Sequence, residues 1–240
     1  MKPLTFLADR LPTRGATRPI AIDLDRSCHV LIIGGSGSGK SVASMLLTAK
    51  IGLHIQDSKV WILDFKGDDN FRFLMGATGA RYYQYTDCMK GLEEYYAMFQ
   101  ARLSGDPDRS IRLLWVDEWA SMILNLPKKE AENAKSMLST ILMMGRSMGC
   151  QVLTSVQRAS AELFSQGARD NYGVCLALGN ISRESAAMLG FDRDAFLPVT
   201  SIGGGHLLLN GTEQKSIQVP IIGTRGLAQM KVDVFRAVIR

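Results

Sequence analysis

Apolar residues along this chain fall in two alternating rhythms. Short runs without interruption, at residues 29–33, 60–63, 111–116, 151–156 and 174–178, have the length and continuity of buried strands. Residues 81–85 offer a further short strand. Between the runs the spacing turns helical. Val42, Met45, Leu46 and Ile51 mark a helix from Lys40 to about Leu53. Cys88, Leu92, Tyr95, Tyr96, Phe99 and Leu103 share one helical face, which Gly105-Asp-Pro-Asp108 closes. Pro127 opens a helix whose buried stripe is Ala131, Ala134, Leu138, Ile141 and Leu142. Ser182 caps a short helix ending at Gly190, Asn210-Gly211 marks a terminal hairpin, and residues 227–239 form a last helix. Residues 1–20, broken by proline and arginine, read as irregular, and 21–240 as a single domain. Continuously apolar strands alternating with helices predict an α/β fold: a mainly parallel sheet with helices on both faces.

Composition narrows the class. The chain of 240 residues is 46% hydrophobic, enough for one large α/β domain. No uncharged apolar run approaches the ~18 residues of a membrane span, and the N-terminus lacks the apolar core of a signal peptide, so the expectation is a cytoplasmic protein. Cys28, Cys88, Cys150 and Cys175 form no C-x-x-C pair and sit among apolar residues, which reads as small core residues rather than a zinc site. A net charge of +5 permits a polyanionic partner without requiring one.

The chemistry begins at Gly34-Gly35-Ser36-Gly37-Ser38-Gly39-Lys40-Ser41, which satisfies G-x-x-x-x-G-K-[ST] between a strand and a helix. Glycines let successive N–H groups point at phosphates, and the helix N-terminus adds positive potential. Lys40 would reach the β- and γ-phosphates, Ser41 would hold Mg²⁺, and Val42 follows in the first helical turn beside the nucleotide. The cofactors implied are ATP and Mg²⁺. A glycine-rich turn with a chance lysine is the bland alternative.

Two later strands end in carboxylates, "KVWILD" at Asp64 and "LLWVDE" at Asp117-Glu118. Hydrolysis needs one carboxylate to orient the metal and a second to polarise water. Asp117-Glu118 offers both in succession, so Asp117 is assigned to Mg²⁺ and Glu118 to the water; a plain strand-end cap is the competing account. Asp64 is followed by Phe65 and Lys66 and, taken alone, reads as a polar strand end capping its loop.

The order of these features resembles the FtsK/SpoIIIE and HerA-type superfamily of ring-forming DNA pumps, which includes conjugative coupling proteins. The residues are the phosphate loop, "ILDFKG", "WVDE", a helix ending in Gly145-Arg-Ser-Met-Gly149, and a strand running to Gln157-Arg-Ala-Ser160. The likeness covers roughly residues 19–220; Phe65 stands where these proteins usually carry proline, and Ala159 departs from "QRPS". The resemblance implies a RecA-like P-loop NTPase. It makes "WVDE" the acidic strand, Gln157 a sensor of the γ-phosphate, and Arg146 the arginine that reaches a neighbouring subunit's nucleotide. An exposed strand-end amide and a helix-terminal arginine are the plain readings of those last two. Asp64 and Lys66 are left near the site or at an interface with no firm role. The implied activity is ATP hydrolysis coupled to moving double-stranded DNA, without sequence preference, through a homo-hexameric ring. Lys128 and Lys129 are candidate DNA contacts, though paired lysines at a helix start are commonly a solvated face. The alternative is a coupling or recruitment ATPase working on protein substrates with a membrane or conjugation-machinery partner. A nucleotide switch with little turnover is disfavoured by Glu118, and a metabolic kinase leaves residues 145–158 unexplained.

Overall fold

The computed structural model describes residues 3–10, 17–164 and 167–240. Ten strands form one sheet: β1 (Leu4–Arg10), β2 (Thr17–Ile22), β3 (Val30–Gly34), β4 (Lys59–Asp64), β5 (Tyr82–Gln84), β6 (Arg112–Asp117), β7 (Cys150–Val156), β8 (Val174–Leu178), β9 (Gly204–Leu209) and β10 (Glu213–Gln218). Their order is β2-β1-β10-β9-β8-β3-β7-β6-β4-β5. The six strands from β8 to β5 are mutually parallel, while β9, β10, β1 and β2 add on antiparallel. The helices are α1 (Lys40–His54), α2 (Cys88–Leu103), α3 (Trp119–Asn125), α4 (Lys128–Met144), α5 (Arg183–Met188) and α6 (Thr224–Ile239).

The continuous apolar runs have the expected cause. Strands β3, β6, β7 and β8 are buried at every position because helices cover both faces. One core holds residues of α2, α3, α4 and α5; the other holds residues of α1, α6 and the N-terminal strands. The four cysteines are free and buried in these layers. Ser182 caps α5 by accepting the Ser185 N–H. Asn210 and Gly211, at φ 49° and 70°, make the tight turn between β9 and β10.

One expectation is corrected. The described residues of the stretch expected to be irregular are strands: β1 pairs with β2 and then with β10, so they extend the same sheet. Leu4, Phe6, Leu7, Ile20 and Ile22 are buried in the α1/α6 core. A register shift between Thr5 and Leu7 turns both Phe6 and Leu7 inward, which hides the two-residue alternation. Pro19 lies on β2, the edge strand, where a missing N–H costs no ladder bond.

Candidate functional site

β3 delivers the phosphate loop to the carboxyl edge of the parallel strands, the edge where open α/β sheets place ligands. The loop curls over its own lysine. Lys40 is buried, and its ammonium donates to the carbonyls of Gly34 (2.8 Å) and Gly35 (3.2 Å). Gly39 has φ 100°, the left-handed turn that lets α1 start at Lys40, and a side chain on it would press on Gly203. The Gly203 N–H donates to the Ser38 carbonyl (3.0 Å), so the loop ahead of β9 braces the phosphate loop from behind.

In front the loop is open. Ideal Cβ atoms at Gly35 and Gly37 would meet nothing within 4 Å. The Ser38 hydroxyl is buried against Gly34 and has no hydrogen-bond partner. These features suit a polyphosphate. Ser41, in the first turn of α1, and the Asp117 carboxylate are oxygen donors of the kind Mg²⁺ takes.

β7 lies between β3 and β6 and connects the two halves of the site. Ser155, fully buried on β7, donates to Asp117 Oδ1 (2.7 Å) and accepts the Glu118 N–H (3.0 Å). One hydroxyl thus fixes both acids. Burial pushes the Asp117 carboxyl up to about 6, the Ser155 bond works against this, and the charges of Glu118, Asp64 and Asp68 add to it. Glu118 sits in the left-handed region at φ 53°, ψ 53°, which is costly for a side chain of its size and common where a residue must be aimed. Its Oε1 is 3.6 Å from the Lys40 ammonium and accepts from Gln157 Nε2 (3.3 Å). Its Oε2 is 3.6 Å from the Lys66 ammonium.

The sheet edge therefore gathers Lys40, Ser41, Asp117, Glu118 and Gln157. It does not gather Arg146. That residue is exposed on the turn Gly145–Met148, ahead of the first residue of β7 and thus at the opposite edge of the sheet. The seven residues of β7 separate the two edges by roughly 20 Å. Buried Arg102 holds that turn, donating to the carbonyls of Met148 (2.6 Å) and Ser110 (2.9 Å) and to Asp108 (2.7 Å). Arg146 lines two adjoining clefts of about 460 and 370 Å³ with Cys28 and Met143. Lys128 and Lys129 are exposed at the start of α4.

Sequence reasoning missed two contributors, Ser155 and α3, and left Lys66 near the site with no role. Ser155 follows Thr154 in a buried strand run, a polar signal in plain view. Lys66 belongs to the motif but not to the strand that carries the acids. α3, with Trp119 buried and its indole N–H on the Leu163 carbonyl (2.7 Å), packs against the acidic strand end.

No family model matches the chain. A curated relative, the FtsK domain-containing protein YdcQ of Bacillus subtilis, is 25% identical over 205 residues, covering 78% of this chain and 42% of the relative. The EssC structure with ATPases 2 and 3 from Geobacillus thermodenitrificans superposes with a TM-score of 0.72 at 14% identity, over 98% of this chain and 48% of that one. The chain has a P-loop ATPase fold. The same fold is shared by the pCW3 conjugation coupling protein TcpA with ATPγS, at a TM-score of 0.66 and 20% identity, over 89% of this chain and 65% of TcpA. The chain thus spans less than half the length of YdcQ and of the EssC structure. Among the described residues no helix is long and apolar enough to cross a membrane.

Proposed function

We propose that this protein hydrolyses ATP and couples the reaction to moving double-stranded DNA through a homo-hexameric ring in the cytoplasm. The observation that carries hydrolysis is the placing of Glu118. A carboxylate held in strained backbone, beside Asp117 and in ion contact with the phosphate-loop lysine, suits the activation of water rather than mere binding. Lys40 would leave the carbonyls of Gly34 and Gly35 for the β- and γ-phosphates. Ser41 and Asp117 would hold Mg²⁺, which would neutralise charge on the transferred phosphoryl group. Glu118 takes the proton of the attacking water. Gln157, on the Glu118 carboxylate, stands where the presence of a γ-phosphate is felt.

Arg146 supports the ring. It lies too far from its own loop to serve there and projects from the opposite edge, so in a head-to-tail ring it would face the next subunit's phosphates. The net charge of +5, with exposed Lys128 and Lys129, supports a phosphate-backbone grip without base reading. The test is steady-state ATPase with and without linear duplex DNA at low and moderate salt. Several-fold stimulation that fades as salt rises is expected.

The likeness to the TcpA coupling protein favours a second reading. In it the same site drives recruitment of a protein substrate beside a membrane or conjugation partner. Turnover indifferent to DNA would select it.

A further inference from the structure

Lys66 is a charged side chain at the site that this chemistry leaves without work. It stands on the loop after β4, 43% exposed, with its ammonium 3.6 Å from Glu118 Oε2. That loop is folded by the Asp64 carboxylate. Oδ1 accepts the Gly67 N–H (2.9 Å), and Oδ2 accepts the Asp68 N–H (2.9 Å) and the Tyr82 hydroxyl (2.8 Å). Gly67 takes φ +67°, and any side chain on it would run into the Tyr85 hydroxyl. The shape of the loop is therefore over-determined, and its product is the position of Lys66.

Glu118 is held from two sides. Lys40 and Gln157 are on Oε1, and Lys66 is on Oε2. Lys40 cannot serve both Glu118 and an incoming triphosphate. Once it turns to the phosphates, Glu118 keeps Gln157 on one oxygen and Lys66 on the other, and these two define the carboxylate plane. We infer that Lys66 is a positioning residue for Glu118, and that Asp64 exists at the neighbouring strand end to aim it. The inference rests on Glu118 being the water-activating group. It explains why two adjacent acidic strand ends are needed where the metal uses one.

The test compares kcat and KM for ATP in the full chain, Lys66→Met, Lys66→Arg and Glu118→Gln. Lys66→Met is also combined with Glu118→Gln, and the dissociation constant for a fluorescent ATP analogue is read for each. A general base that loses its orientation is expected to cost about tenfold in kcat, with KM and analogue affinity within about twofold of wild type. Lys66→Arg should restore most of the rate. Lys66→Met should change nothing further in the Glu118→Gln background, because the two act as one unit. Thermal unfolding of Lys66→Met checks that this partly exposed change leaves the fold intact. Unchanged kcat in Lys66→Met overturns the inference. So does weakened analogue binding at unchanged kcat, which would make Lys66 a direct phosphate contact, or a raised kcat, which would make it a brake. Glu118→Gln turning over as fast as wild type, or no turnover in wild type, would instead remove the hydrolytic reading beneath it.

Discussion

β4 and β6 run side by side in parallel, and each ends on an aspartate directly paired in register, Asp64 with Asp117. Both are buried, yet their surroundings differ. Asp64 receives two backbone N–H groups and a tyrosine hydroxyl, all from its own loop and the adjoining strand. Asp117 receives one serine hydroxyl, with Glu118 next in the chain and the phosphate loop one strand beyond β7. Burial raises both carboxyls, against the Tyr82, Asp68 and Gly67 bonds at Asp64 and against Ser155 alone at Asp117. The same residue at the same height on neighbouring strands is a fold element where its lone pairs are filled and, in the function proposed above, a chemical one where they are left for a ligand.

The contrast can be broken most sharply by amide substitution at each end. Asp117→Asn should lower ATP turnover by about 100-fold or more, since a group that orients charge at the reacting phosphate is lost. Asp64→Asn should leave far more turnover but lower stability by about 1–3 kcal/mol, because an amide leaves a buried backbone N–H facing a donor. Parallel denaturant melts and ATPase assays should show the two effects crossed, and equal losses in both assays would erase the distinction.

The pH dependence of stability gives a finer cut. A carboxyl whose folded value lies near 6 contributes stability that is complete below its unfolded value and is lost as pH rises through about 6. Metal-free Asp117→Asn should therefore be more stable than wild type at pH 7.5, by about 2 kcal/mol. The gap should close as pH falls from 7 toward 4, as read by urea midpoints in the presence of a chelator. The smallest effect is Tyr82→Phe, which removes one donor from Asp64. It should cost about 1 kcal/mol of stability and, through Lys66, a modest part of kcat.

Much of this was legible beforehand, and for definite reasons. The parallel strands are buried on both faces, so their apolar runs needed no partner information to be seen. The phosphate loop and the Asp117-Glu118 pair are local in sequence, and the order of motifs supplied Gln157. What failed to show was long-range. β1 takes its place from β10, some two hundred residues away, and its alternation is masked by the shift at Phe6 and Leu7. α3 starts from a left-handed Glu118 without a capping side chain, so no start signal marks it, and Pro127 marks only where it ends. Ser155 and Lys66 acquire meaning only when β7 is set beside β6 and the β4 loop leans over the same edge. Arg146 was named from its motif, but its separation from the phosphate loop came only from the topology.

The measurement closest to the central claim is single-turnover ATP hydrolysis by wild type and Glu118→Gln, with nucleotide binding followed in the same samples. The account predicts tight binding in both and a rate in the variant about 100-fold to 10,000-fold lower. Equal rates, with binding intact, would show that the strained carboxylate at the end of β6 does not activate the water, and the assignment of the two strand ends would fall.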